Sequence, residues 1–504
     1  MPVPNHTWKS DPAQLVDRLF LHGVCCHRQQ QHEAASQAME RVLALQPDHL
    51  DATLWSGILA YHRGQTTVAI DWFQRTLRLD PTLASAHYNL GLCLQESGDI
   101  KGALAAYDQA ILLQPNKAEA YNNRGMLLAE LGDYGRACAN YQIAIACKPD
   151  YLDARFNQGV ARAAQGKFQL AEQDYRAVVA QDPQHTAAQF ALAILWLTQG
   201  NWQAGWPQYE WRWRYPAVRL SKPETLAPPW DGQSSLAGKH LLLDAEQGFG
   251  DTLQFCRFIQ PLQARGARIT LRLPTTSMPL LAPLLEAMPS PCDLLPATTG
   301  VRCDYQLSLM SIPALLGTTP ETIPGHSGYL HVPDSYRLRW QKRLGPKNQV
   351  PRIGLVWAGN PQHNNDARRS IPLRQLLAGL PVGYQYLGLQ KALRPEDQAP
   401  LASREDIYWL GNELLDFADT AAVCSQLDLV ITVDTAVAHL TGGLGVPVWI
   451  LLPHIPDWRW QLQGETSCWY DSARLFRQEK SGDWSSVLYN LRLALTRFPE
   501  LLCQ

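Results

Sequence analysis

No stretch of this 504-residue chain has the roughly 20 consecutive apolar residues that a membrane-spanning helix needs; its longest apolar candidate, residues 446–452, is of strand length. Cysteine is sparse and odd in number: eleven residues, only Cys25 and Cys26 adjacent, and no C-x-x-C pair. That usage argues against a disulfide framework or a zinc ribbon and for a reduced, cytoplasmic setting. Charge is scarce and balanced, at 18% Asp, Glu, Lys and Arg with a net of −2, so no nucleic-acid or anionic-membrane partner is expected. The opening MPVPNHTWKSD lacks the basic-then-apolar pattern of an export signal. Four catalytic signatures are missing too: G-x-x-x-x-G-K-[ST], H-E-x-x-H, G-x-S-x-G and D-x-D. Their absence disfavours P-loop enzymes, zinc proteases, serine hydrolases and sugar transferases that hold a diphosphate through a divalent cation. Neither a metal nor a cofactor is expected.

What is present is a period. Pro47, Pro81, Pro115, Pro149 and Pro183 stand 34 residues apart, as do Gly23, Gly57, Gly91, Gly125 and Gly159. Gly64, Gly98, Gly132, Gly166 and Gly200 form a second glycine series, and Ala35, Ala69, Ala103, Ala137 and Ala171 an alanine series. The spacing predicts pairs of short amphipathic helices. Small residues let paired helices approach, the second glycine ends the first helix at positive φ, and the proline follows the second helix. A 34-residue unit resembles the tetratricopeptide repeat, which stacks into a superhelix with a concave groove. The unit after Gly200, N-W-Q-A-G-W-P-Q-Y-E-W-R-W, departs from the pattern and reads as a cap or docking piece; its tryptophans read as packing against the next domain. Asn89, Asn123 and Asn157 also stand 34 apart on successive first helices, which are expected to line the groove. An amide side chain matches a peptide's C=O and N–H, so a protein or peptide partner is expected there; joining neighbouring helices is the alternative.

Beyond the repeats, residues 216–238 are rich in Pro, Ser and Gly and read as a linker. Strands are then expected at residues 240–245, 268–273, 292–295 and 305–309, with a helix over 251–264. A polar, Pro-flanked stretch at 342–351 marks a boundary, and strands restart at 353–357, 384–389, 407–410, 429–433 and 446–452. Strands alternating with helices argue for parallel sheets covered on both faces. The expected fold is α + α/β: a repeat superhelix over 1–215, the linker, and two Rossmann-like domains over 239–346 and 347–504. Ligands of such sheets bind outside the carboxyl ends of the strands.

Four motifs fall at such ends. E-Q-G-F-G-D, residues 246–251, opens a helix after the first strand. Gln247, Gly248 and Gly250 form a turn that allows close backbone approach, and Asp251 faces the inter-domain cleft or serves as an N-cap. D-T-A-V-A-H-L-T-G-G-L-G-V-P, residues 434–447, starts a helix whose free N–H groups near Thr435 and Ala436 make an anion site. His439 lies one turn on, on the same face. W-A-G-N-P-Q-H-N-N-D-A-R-R-S-I-P, residues 357–372, supplies Asn360, and Arg368 and Arg369 as a phosphate clamp. L-P-H-I-P-D-W-R-W, residues 452–460, offers tryptophans to stack on a sugar or base, or to pack the domain edge.

Together these residues resemble bacterial tetratricopeptide proteins with a C-terminal heptosyltransferase-like glycosyltransferase of the two-domain GT-B type. The Q-G-x-G-D turn is similar to the heptosyltransferase turn whose Asp is the proposed base, which implies that role for Asp251. The D-T-x-x-x-H-L-x-x-x-L-G-x-P stretch resembles the donor site. It implies Asp434 near the sugar, Thr435 and Ala436 on the diphosphate, and His439 beside them. Where those enzymes use a lysine for phosphate contact, this chain offers Arg368 and Arg369. The resemblance implies an inverting, metal-independent hexosyl- or heptosyl-type transfer from a nucleotide-diphosphate sugar, with the repeats holding a protein acceptor or adaptor. A non-catalytic scaffold with a degenerate transferase fold is the alternative; an epimerase would need an acid/base pair that the motifs do not supply.

Overall fold

The computed structural model describes residues 12–501 except 219, 221, 222, 225, 326, 327, 348, 363 and 364. The opening segment, part of the linker, and His363 and Asn364 of the polar loop therefore lie outside the described residues. Packing divides the chain into Met1–Pro183 and Gln184–Gln504.

The first unit consists, among the described residues, of five helix pairs, from Pro12–Arg28 with His32–Leu45 to Leu152–Ala164 with Phe168–Gln181. The period reflects two contacts. A Cβ at Gly57, Gly91, Gly125 or Gly159 would stand 2.5–2.7 Å from the ring of Phe73, Tyr107, Tyr141 or Tyr175 respectively, so the second helix's aromatic lies on the first helix's bare backbone. These aromatics form a further 34-residue series. The later glycines, Gly64, Gly98, Gly132 and Gly166, adopt φ of +69° to +84° and end the first helices. Asp99 and Asp133 cap second helices by accepting from Gly102 and Arg136 N–H.

The second unit opens with a sixth helix pair, Thr186–Thr198 and Trp202–Tyr209, running into a 3₁₀ turn at Glu210–Trp213. The expected boundary after residue 215 thus differs from the division by packing. The cause is the tryptophans. Trp202 stacks on Trp469 at 5.2 Å, and Trp206 meets Trp458 edge-on at 5.2 Å, so this pair shares one buried core with the sheets.

The first sheet has the order β3-β2-β1-β4 and is parallel throughout: β1 (His240–Asp244), β2 (Arg268–Leu273), β3 (Asp293–Pro296) and β4 (Tyr305–Ser308). The second is also parallel, ordered β10-β9-β8-β5-β6-β7: β5 (Arg352–Val356), β6 (Gln385–Gly388), β7 (Ile407–Trp409), β8 (Leu429–Val433), β9 (Val448–Leu452) and β10 (Ala473–Arg477). Its order reverses between β5 and β8. At such a reversal the loops leaving the two strands diverge and open a crevice. The loops in question begin at Trp357 and Asp434.

Nine strands lie where the sequence puts them, to within two residues at either end. The tenth, β10, reads A-R-L-F-R; Arg474 and Arg477 flank its apolar residues because it is a sheet edge. The expected helix 251–264 is three pieces, Phe249–Phe255, the 3₁₀ turn Cys256–Phe258, and Ile259–Ala264. Helix Asp334–Leu344 runs into the stretch read as a boundary.

Candidate functional site

The turn after β1 and the helix after β8 meet. A Cβ at Gly250 would stand 3.0 Å from His439 Cδ2 and 3.5 Å from Ala436 Cα, so glycine is what lets helices Phe249–Phe255 and Ala436–Leu444 touch at their N-terminal ends. Asp251, Ala436 and His439, 188 residues apart at the extremes, thereby share one site.

Asp251 sits at the third position of its helix. The N-cap is Gly248, not Asp251 as the alternative expected; Asp251 Oδ2 instead reaches back to accept from Gly248 N–H at 2.9 Å, and its Oδ1 accepts from Arg459 Nη2. Burial pushes its pKa up; Arg459 opposes that shift and Asp457 adds to it. Arg459 is the hub. Its Nε donates to Gln254 Oε1 at 2.6 Å, its Nη1 to Asp457 Oδ1 at 2.9 Å, and its guanidinium lies 4.2 Å over the Trp458 ring.

Asp434 is half-buried at the carboxyl end of β8. Burial raises its pKa to about 6, Asp457 adds to the rise, and Trp460, Arg369 and Arg459 work against it. Thr435 is the helix N-cap, but its hydroxyl pairs with Thr432 Oγ1 at 3.0 Å and makes no capping bond. His439 is buried; its Nδ1 is 2.9 Å from the Tyr470 hydroxyl and its ring stacks on Trp460 at 5.3 Å. Burial, then Arg459, Arg257 and Arg369, hold its pKa well below the usual imidazole value, so it is neutral near pH 7.

The polar loop is pinned from behind. Asp366 accepts from Ser370 Oγ at 2.7 Å and from Arg394, and Ser370 Oγ accepts from Gly359 N–H at 3.0 Å. Within it, Arg368 and Arg369 do not form one clamp. The segment Asp366–Arg369 is a helical turn, which sends neighbouring side chains apart. Arg369 lies over Gly359, where a Cβ would stand 2.6 Å from its Nη2, and its buried Nε lacks a hydrogen-bond partner. Arg368 is exposed. Asn360 is also exposed and accepts from Gln362 N–H at 3.0 Å, a local turn. Gln247 is engaged by the sixth helix pair: its amide donates to the Tyr209 hydroxyl at 3.0 Å.

The tryptophans of D-W-R-W are internal. Trp458 packs among Trp206, Tyr209, Phe255 and Trp469, and Trp460 beneath His439. Packing, not stacking on a ligand, is their role here. Two cavities of about 490 and 380 Å³ lie elsewhere, around Tyr384, Asp406 and Tyr408 and around Arg374, Pro400 and Arg404; neither is lined by a residue of the cluster.

The groove asparagines are half-buried. Asn123 donates to the Tyr88 hydroxyl at 3.2 Å and Asn157 to Asn122 Oδ1 at 3.0 Å, each reaching into the preceding repeat. Joining neighbouring helices, the alternative, is therefore realised by both.

A model of the tetratricopeptide repeat matches residues 28–84, 88–151 and 156–209. The N-terminal part of the chain is a tetratricopeptide-repeat array. The third match includes the sixth helix pair, so the tetratricopeptide pattern runs into the second packing unit. Protein FlbA of Caulobacter vibrioides is 27% identical over 322 residues, covering 58% of this chain and 52% of that protein. The chain thus spans about half the length of the curated relative it matches. Among solved structures, MamA from Desulfovibrio magneticus is 19% identical and covers 35% of this chain and 98% of its own, with a TM-score of 0.32. YrrB, described as a TPR protein with an unusual peptide-binding site, is 24% identical over 36% of this chain and 93% of its own, with a TM-score of 0.32. The tetratricopeptide repeats point to a protein-interaction role. Among the described residues, no helix is long and apolar enough to cross a membrane.

Two residues that motif reading passed over organise the site beneath the last repeat. Arg212, 1% exposed, grips Glu246 with Nε and Nη2 at 2.7 and 2.9 Å, and Nη2 also reaches Ser311 Oγ at 2.7 Å. Glu246 in turn accepts from Ser308 and from Met310 N–H, which moors the turn carrying Asp251. Arg459 had one signal in the sequence, its place between two tryptophans after a β9 carboxyl end.

Proposed function

We propose that the second unit is a GT-B-type glycosyltransferase: an inverting, metal-independent enzyme acting on a nucleotide-diphosphate sugar, built on two Rossmann-like domains. The observation that supports this reading is the contact of Gly250 with Ala436 and His439, which brings the turn carrying Asp251 against the start of helix Ala436–Leu444. In the proposed step Asp251 takes the proton of an acceptor hydroxyl as that oxygen bonds to the anomeric carbon. The bond from that carbon to the diphosphate oxygen breaks, and the diphosphate leaves with the electron pair. Its charge falls on the N–H groups at Ala436 and Val437 and on Arg369, whose buried Nε has no hydrogen-bond partner among the described residues. His439, neutral and oriented by Tyr470, donates or accepts a hydrogen bond without adding charge. General-base assistance contributes about 10²–10⁴-fold in rate. The repeats hold the acceptor protein or an adaptor.

A panel of nucleotide sugars, scored for transfer or hydrolysis, tests this reading. Turnover that Asp251→Asn reduces by about 10²-fold or more supports it. Wild-type turnover in that variant, or activity that a chelator removes and Mg²⁺ restores, sinks it. One observation favours a scaffold instead: both Asp251 oxygens are already bonded, to Gly248 N–H and to Arg459. On that reading the full panel gives neither transfer nor hydrolysis, and only protein partners bind.

A further inference from the structure

We infer that Arg459 is handed over from Asp251 to the donor's diphosphate, so that donor binding is what frees the base. This rests on the transferase reading. Arg459 is 8% exposed, and its guanidinium is held at four points: Gln254 at Nε, Asp457 at Nη1, Trp458 beneath its plane, and Asp251 at Nη2. Asp457 also caps the Arg459 backbone N–H at 3.0 Å. Three of the four holds lie within residues 457–459 or on Gln254, and none of these needs Asp251. Exchanging the partner of Nη2 therefore breaks one charged hydrogen bond and moves no rotamer.

The acceptor of that exchange is close. Asp251 lies one residue from Gly250, which abuts Ala436, the first residue of the helix whose N–H groups are free to meet an anion. Trp460, the residue after Arg459, stacks on His439 of this helix at 5.3 Å, which keeps the Arg459 segment against it. The hand-over requires a diphosphate seated at Ala436 to put an oxygen where Asp251 Oδ1 now meets Nη2. A planar fork serves carboxylate and phosphate oxygens equally well, so the new bond replaces the old one in kind. Asp251 then loses the cation that stabilises its charged form and regains a lone pair, and it becomes a stronger base only when the donor is in place. Donor binding must therefore precede acceptor deprotonation.

Calorimetric titration of the full chain with inorganic pyrophosphate tests the hand-over in the wild type, Arg459→Gln, Arg459→Lys and Asp251→Asn. Asp251→Asn is expected to bind pyrophosphate more tightly, by about threefold or more, because it removes a resident competitor for Nη2. Arg459→Gln is expected to bind about tenfold more weakly, the usual effect of one lost charged hydrogen bond, and Arg459→Lys to fall between. A second measurement needs no variant: the ¹³Cγ titration of Asp251 shifts to higher pH when pyrophosphate saturates the wild type. Equal affinity in wild type, Arg459→Gln and Arg459→Lys, weaker binding by Asp251→Asn, or an unmoved Asp251 titration overturns the hand-over and leaves the transferase reading intact. Failure of every form to bind pyrophosphate overturns both.

Discussion

The five helix pairs before Pro183 and the unit that follows them use polar groups over different ranges. In the pairs, polar contacts reach one repeat and stop: Asn123 to Tyr88, Asn157 to Asn122, Arg162 to Asp174. In the second unit, buried arginines tie remote segments together: Arg212 to Glu246, Arg257 to the Trp469 carbonyl, Arg459 to Gln254 and Asp251. A break in the first region stays in its neighbourhood, as nearest-neighbour stacking requires. A break in the second leaves a buried charge without its partner and is felt across the whole unit.

Truncation tests that contrast most severely. A chain of residues 184–504 is expected to unfold as one cooperative transition in urea, whereas 216–504, deprived of Trp202, Trp206 and Arg212, is expected to lose cooperative unfolding altogether. Native-like unfolding of the shorter chain would mean that the sixth pair is a repeat like the others. Next comes Arg212→Ala. It strands Glu246 in the interior and should cost about 3–5 kcal/mol by urea denaturation, with exchange protection lost throughout the second unit.

The matching insult to the repeats is Gly91→Ala, whose Cβ would stand 2.6 Å from Tyr107 Cε1. A cost of about 3 kcal/mol is expected, at the upper end of overpacking effects, because the ring lies on backbone and has little room. Hydrogen exchange should show the loss confined to that pair and its neighbours. Spread of the loss into residues 184–504 would erase the contrast.

Asp434 gives a pH-dependent version. Its folded pKa, about 6, exceeds the ordinary 3.8, so the folded state holds the proton more tightly. The stability it contributes is full below about pH 4 and is lost as pH rises through about 6. Asp434→Asn should therefore gain on the wild type by on the order of 2 kcal/mol between those limits, read as a difference in urea midpoint at pH 4 and pH 7. A constant difference would show that Asp434 titrates normally. The smallest effect belongs to Asn123→Ala, about 1 kcal/mol for a neutral bond to Tyr88, seen only in the repeats.

The repeats were legible because their contacts recur at a fixed separation. Glycine, alanine and proline at 34-residue spacing specify where helices touch, end and turn, and these are local requirements. The strands were legible for a similar reason: apolar runs bounded by turn residues announce themselves, and only β10, with arginines on an edge, did not. The site was legible as fragments. The turn at 246–251 and the helix start at 434 could be read as strand-end motifs, but their contact through Gly250 could not, since nothing in either fragment encodes the other's position.

The sequence by itself determined the repeat array, the parallel sheets, and the strand ends at which Asp251, Asp434 and the 357–372 loop stand, because periodicity and β/α alternation depend on near neighbours. Only the tertiary structure decided which of those residues meet. It turned Gln247 onto Tyr209, parted Arg368 from Arg369, buried Trp458 and Trp460, and set Arg459 against Asp251 from 208 residues away. Those outcomes follow from burial and charge pairing summed over the whole second unit, where a guanidinium takes whichever carboxylate the folded chain brings to it.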